Sequence, residues 1–168
     1  HSYYVDVTVL ARYWSNEQMY HHTAPISMNY AILEALRVVR EEGLDARYER
    51  HRRNHLALAT GIEAMGLKMF VPEPYRLWSL NTVEIPAGID DVKVRKTLLE
   101  EHNLEIGGGL GALKGKIWRV GLMGYNSNEA NVLYFLMVLE QTLRGQGFEV
   151  PQGKGPTAAH EFYLKNKK

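Results

Sequence analysis

Ile117-Trp118-Arg119-Val120-Gly121-Leu122 is the stretch whose reading decides the fold. Apart from Arg119 it is apolar or glycine, β-branched and aromatic residues dominate it, and Gly115 and Gly124 bracket it, so it predicts a strand. Alternation puts Trp118 and Val120 on one face and Ile117, Arg119 and Gly121 on the other. A guanidinium drawn into such a strand requires an anion. Its planar, paired donors suit a carboxylate or a phosphate, and the small Gly121 beside it leaves room for a ligand. The plainer alternative is an edge-strand Arg whose head reaches water.

Working outward, residues 128–144 carry Val132, Leu133, Leu136, Val138, Leu139 and Leu143 at helical spacing. Upstream, Leu104-Glu105-Ile106 reads as a strand joined to the first by the turn Gly107-Gly108-Gly109-Leu110-Gly111. Asp90-Asp91 opens a helix through Val92, Leu98 and Leu99 that stops near Asn103, its carboxylates complementing the helix dipole. Leu67 to Val71 and Leu80 to Ile85 are strand-like pieces around Pro72 and Pro74, and residues 44–65 form a helix ended by Gly66. The order predicts an α+β fold, a small, mostly antiparallel sheet with helices on one face. From Gly145 the glycine-rich tail either frays or wraps.

Residues 1–43 do not complete that pattern. Ser2 to Leu10 favours a short strand, with a turn of helix near Val9 to Trp14 as the alternative. Thr23 reads as the N-cap of a helix over 26–42, with Pro25 in its first turn and Gly43 at its end. This stretch looks like the end of another domain whose helix bridges onward. The expected division is 1–43, 44–147 and a tail, 148–168.

The 168 residues bound the chain to one or two domains, large enough to hide roughly two-thirds of the unfolded surface. With 20 Lys plus Arg against 19 Asp plus Glu, charge balance predicts no long-range attraction to nucleic acid or an anionic membrane. Absence of cysteine excludes disulfide scaffolds, thiolate metal clusters and cysteine nucleophiles, and fits a cytoplasmic setting. No apolar run nears the roughly 18 residues of a membrane span. Beginning at His1 rather than Met, the chain is expected to be a piece of a longer polypeptide or a processed product.

Other candidate chemistry is sparse. Tyr20, His21, His22 and Thr23 gather hydroxyls and imidazoles before a helix start, where an anion such as phosphate is favoured; the alternative is that Thr23 merely caps and the rings pack. The Gly107 to Gly111 run lacks the Gly-Lys-Ser/Thr of a phosphate loop and reads as a flexible turn. His51 and His55 stand at metal-compatible spacing without a third ligand. Arg50-His51-Arg52-Arg53 has no aromatic platform for RNA and reads as a solvated helix face.

Met19-Tyr20-His21-His22-Thr23-Ala24-Pro25, Leu104 to Gly111 and Gly115-Lys116-Ile117-Trp118-Arg119-Val120-Gly121-Leu122-Met123-Gly124, taken together and in this order, resemble the alanine–glyoxylate and serine–glyoxylate aminotransferases. These are class V, fold-type I enzymes that use pyridoxal phosphate (PLP), and the resemblance runs from Ser2 to about Leu143. It implies the end of a large α/β cofactor domain followed by a small C-terminal domain. It implies that Tyr20 and Thr23 bind the cofactor phosphate of a neighbouring subunit in a homodimer, and that Arg119 clamps the substrate α-carboxylate.

The family's Schiff-base Lys, the Asp facing the pyridine nitrogen and the ring-stacking aromatic lie upstream of the matched region. Lys68, Lys93, Lys96, Lys114 and Lys116 stand in no such motif. The expected function is therefore the C-terminal portion of a transaminase moving an amino group from alanine or serine to glyoxylate or a similar 2-oxo acid. This chain alone is expected to be inactive, and its first partner is the N-terminal part of the same enzyme. The competing reading is a non-catalytic α+β module that binds a partner through the surface its missing domain would cover.

Overall fold

The computed structural model describes residues 2–167 and divides into two compact units, His1–Leu44 and Asp45–Lys168. In the first unit a 3-10 turn, Tyr3–Val5, leads into helix α1, Val7–Trp14. The strand expected over Ser2 to Leu10 is therefore a turn and a helix. The Asp6 carboxylate accepts the Thr8 N–H at 2.9 Å and caps α1, and Val7, Leu10, Ala11 and Trp14 recur at helical spacing. Helix α2 spans Ile26–Glu42 and ends at Gly43, whose φ of 82° favours a residue without Cβ. Pro25, with no side-chain bond, occupies the N-cap; Thr23 lies too far upstream to cap, contrary to its sequence reading.

The second unit is the expected α+β arrangement. Helix α3 (Leu44–Ala64) starts at the junction of the two units, and α4 (Asp91–His102), α5 (Glu129–Arg144) and α6 (Lys154–Lys165) follow it. The sheet has three antiparallel strands, β1 (Leu80–Glu84), β2 (Gly107–Gly108) and β3 (Ile117–Gly121), with β3 central. Register sets Thr82 and Gly107 opposite Arg119, and Val83 and Gly108 opposite Trp118. Trp118, Val120 and Val83 join Leu58 and Ile62 of α3, Val94 and Leu98 of α4, and Leu136 and Leu139 of α5 in one buried cluster.

Two expected strands are curtailed. Leu67 to Val71 makes a single bridge, Met69 to Val83, before Pro72 withdraws its donor. Pairing expected at Leu104 to Ile106 moves to Gly107–Gly108, because Leu104 is still finishing α4. Asn103 adopts a left-handed conformation (φ 51°), its N–H returns to Leu99 O at 3.1 Å and Leu104 N–H reaches back to Leu98 O at 2.9 Å, a left-handed C-cap. The tail wraps, and it does so as α6. The buried Glu140 carboxylate of α5 accepts the N–H groups of Gly153 and Gly155 and fixes the start of α6. A Cβ on Gly155 would stand 2.7 Å from Met65 Sδ, so this glycine permits a close approach to the core.

Candidate functional site

Arg119 lies on the central strand of the sheet, which removes the edge-strand reading. Its half-buried side chain lies over Gly107: a Cβ built there would meet the guanidinium at 3.1 Å. Arg119 Nε donates to Gly108 O at 2.8 Å, and among the described residues no carboxylate pairs with it. The guanidinium borders an open cleft of about 460 Å³ whose walls include Asp90, Asp91, Arg95, Gly108 and Lys114. A cation whose remaining N–H groups face a cleft, without an internal counter-charge, is suited to an anionic ligand.

The glycine run is part of this site, not the flexible turn expected. Gly107 and Gly108 extend the sheet, and they carry side-chain-free surfaces against two guanidinium groups, Arg119 at Gly107 and Arg95 at Gly108. Behind them Arg95 grips Asp91 with two donors, Nε to Oδ1 and the second nitrogen to Oδ2, each 2.9 Å, and the buried Trp118 indole donates to Asp91 Oδ1 at 2.9 Å. The Arg95 hydrogen bonds hold the Asp91 carboxyl below its ordinary range, against the opposing effect of burial. Sequence reading missed Asp91, Arg95 and Trp118 as neighbours of the site. The legible signal was the i,i+4 Asp-Arg spacing at a helix start.

In the first unit, the Tyr20 and Thr23 hydroxyls lie 2.9 Å apart and both side chains are exposed, Tyr20 at 68%. They form a paired hydroxyl set just ahead of α2. The two histidines between them do different work. His21 is buried, stacks on Tyr3 with ring centres 4.4 Å apart, and contacts Tyr3 O through Nε2 at 2.9 Å. A carbonyl can only accept, so His21 Nε2 carries a proton. In the neutral ring its Nδ1 then accepts from His22 Nδ1–H, 2.7 Å away. The histidines thus brace the turn that presents Tyr20 and Thr23.

The His51/His55 pair is committed elsewhere. His51 Nδ1 donates to Arg47 O at 2.7 Å and its Nε2 accepts Gly124 N–H at 3.1 Å, leaving neither nitrogen for a metal. His55 is buried with Nδ1 2.6 Å from Asn81 Oδ1, and burial pushes its pKa down despite that bond. No metal-binding cluster occurs among the described residues. The basic run also departs from the solvated face expected of it. Arg50 donates to the carbonyls of Gly124 (2.8 Å) and Ser127 (2.6 Å), and Arg53 lies 5.0 Å over the Tyr163 ring. These positions face the β3–α5 connection and α6, and they tie α3 to both. Among the described residues no helix is long and apolar enough to cross a membrane.

Comparison with known proteins places these features in context. No protein-family model matches the chain. The (S)-ureidoglycine–glyoxylate transaminase of Bacillus subtilis is 44% identical over 162 residues, which is 96% of this chain and 39% of that protein. The chain is homologous to the C-terminal part of glyoxylate aminotransferases. The alanine–glyoxylate aminotransferase of Callithrix jacchus is 37% identical over 147 residues, covering 85% of this chain and 36% of that protein. The crystal structure of ureidoglycine–glyoxylate aminotransferase from Bacillus subtilis matches with a TM-score of 0.88 at 44% identity, over 97% of this chain and 42% of the other. The chain therefore spans about two-fifths of the length of these glyoxylate aminotransferases.

Proposed function

We propose that this chain works as the C-terminal part of a PLP-dependent aminotransferase subunit that passes an amino group from a small amino acid, alanine or serine, to glyoxylate or a similar 2-oxo acid. The observation that carries the reading is Arg119: a half-buried guanidinium on the central strand, steered by Gly108 O and free of any carboxylate among the described residues. Arg119 takes the α-carboxylate of the amino-acid substrate with its remaining donors. Because that contact is planar and paired, it sets the direction in which the α-carbon is presented.

The cofactor fits the hydroxyl pair. Tyr20 and Thr23 bond to each other at 2.9 Å, and both hydroxyls can turn their protons to one phosphate, in the neighbouring subunit of a homodimer. PLP, when bound, supplies the electron sink that makes the substrate α-proton removable. Within this chain the assigned roles are binding and orientation; the N-terminal part of the subunit supplies the remainder.

The test uses the complete PLP-loaded subunit. Arg119→Ala is expected to cost roughly 2–5 kcal/mol in kcat/KM for alanine or serine, the range for removing one partner of a desolvated charge pair. An unchanged kcat/KM refutes the assignment. Tyr20→Phe with Thr23→Val is expected to speed PLP loss on dialysis, followed by the cofactor's absorbance; retention equal to the parent enzyme removes these two residues from the phosphate site.

A further inference from the structure

Gly107 stands opposite Arg119 in the β2–β3 ladder, and the backbone gives no reason for a glycine there. Its φ is not positive, so no left-handed conformation has to be relieved. A Cβ built on it would meet Arg119 Nη2 at 3.1 Å, Nε at 3.3 Å and Cζ at 3.4 Å, and these guanidinium atoms are its three nearest neighbours. The other glycines of the hairpin answer to different atoms, Gly109 to the Leu113 main chain and Gly108 to Arg95. Glycine inside a strand weakens it and often marks the close approach of another group. At residue 107 that group is the Arg119 guanidinium.

On the opposite flank the register pairs Arg119 with Thr82. Leu122 N–H reaches Ser79 O at 2.8 Å and Ile85 N–H reaches Lys116 O at 2.9 Å, so the ladder bonds fall on the odd-numbered residues of β1. Thr82 and Arg119 are therefore a non-hydrogen-bonded pair. Side chains stand closest in such pairs, with Cβ atoms about 4.5–5.5 Å apart, and a β-branched side chain is stiff. Arg119 is thus walled by Thr82 toward β1 and open over Gly107 toward β2, where Gly108 O accepts its Nε–H at 2.8 Å.

We infer that Gly107 is a positioning residue for the substrate carboxylate: its bare backbone is the seat in which the Arg119 guanidinium lies, and it fixes the height and tilt at which the outer nitrogens are presented. The inference rests on Arg119 being the carboxylate clamp. A methyl group at 107 obliges the guanidinium to give by a few tenths of an ångström. Thr82 closes the retreat toward β1, so the displacement runs outward from the sheet and draws Nε off Gly108 O. Paired, planar recognition is sensitive to displacements of this size, while the ladder bonds of β2 and β3 need not change. Gly107 is in this sense a glycine kept for the site and not for the fold.

The test is a double-mutant cycle in the complete PLP-loaded subunit, reading KM for alanine, inhibition by propionate as a non-reacting carboxylate, and thermal melting. Gly107→Ala is expected to raise KM and the propionate inhibition constant about fivefold, while Tm stays within about 2 °C of the parent. In the Arg119→Ala background the seat is vacant, and adding Gly107→Ala is expected to change either constant by less than about 1.5-fold. Equal penalties in both backgrounds, or a fall in Tm that persists without Arg119, would show that Gly107 answers to something other than the guanidinium and overturns the inference. Gly107→Ala with both constants at the parent values overturns it too. Arg119→Ala with unchanged constants overturns instead the underlying clamp.

Discussion

Gly109→Ala puts the geometry of the Arg119 cradle to a direct test. A Cβ at residue 109 would sit 1.9 Å from Leu113 O and 2.5 Å from Leu113 C, well inside van der Waals contact with main chain that no rotamer can move aside. Each flank is tied down. Gly109 N–H donates to Ile117 O at 2.9 Å, and Leu113 O itself accepts Lys116 N–H at 3.0 Å. Relief therefore breaks one of these bonds, a net loss of about 1 kcal/mol, on top of an overpacking cost of about 1–3 kcal/mol. The expected total is about 2–4 kcal/mol, a fall in Tm of order 10 °C for a protein of this size. Urea and thermal unfolding followed by circular dichroism measure it. Gly121→Ala is the control, since a Cβ there meets only Met123 Cε at 3.8 Å, and its expected change is below about 0.5 kcal/mol. If Gly109→Ala unfolds within that same margin of the parent, the hairpin that carries Gly107 and Gly108 is not built this way, and the cradle argument falls with it.

Tyr163→Phe removes the hydroxyl that donates to Asn54 Oδ1 at 2.8 Å inside a buried chain running on from Asn54 to Ser127 Oγ. The stranded amide oxygen is expected to cost about 1–3 kcal/mol in urea unfolding; a loss below about 0.3 kcal/mol would show that the oxygen finds another donor. For His55, burial depresses the folded-state pKa below the ordinary 6.5, so the unfolded chain binds the proton first. Its contribution is fully present above pH 6.5 and is lost as pH falls from there toward the lowered value. Between pH 7.5 and 5.5 the parent should lose more stability than His55→Gln, measured as the difference in urea midpoints converted with a common slope. Parallel pH profiles for the two proteins would contradict the assigned neutral state.

Helix α2 and the central strand were legible in the sequence because each carries its own signal. Periodic apolar residues between Pro25 and Gly43 fix the helix, and a lone Arg in an apolar strand marks a site. Elements whose form depends on distant partners were not legible. The Gly107–Gly109 run reads locally as flexibility, yet its lack of side chains answers to Arg119, Arg95 and Leu113, none adjacent in sequence. The glycine-rich tail left fraying and wrapping both open for the same reason, since Gly155 answers to Met65 and Glu140 supplies the missing cap of α6 from α5. At Ser2 to Leu10 the error was one of period: aromatic and β-branched content suggested alternation, while Asp6 was already placed to cap a helix.

The basic run on α3 shows why composition misleads where charge is concerned, and why Arg119 is the stronger bet. Arg50 and Arg52 crowd within this run, and each has a structural occupation: carbonyls of the β3–α5 connection and the Glu49 carboxylate. Arg95 is occupied by Asp91 and Arg76 by Glu63 at 3.2 Å. An arginine whose donors are filled by its own fold has little to offer a ligand, however many neighbours of like charge surround it. Arg119 differs in being guided by one carbonyl at Nε and left open at its outer nitrogens, inside a cleft where both nearby acids are already engaged. The role proposed for Arg119 rests on the bonds that the fold withholds from it, and these are visible only once the partners of Asp90, Asp91 and Arg95 around the cleft have been assigned.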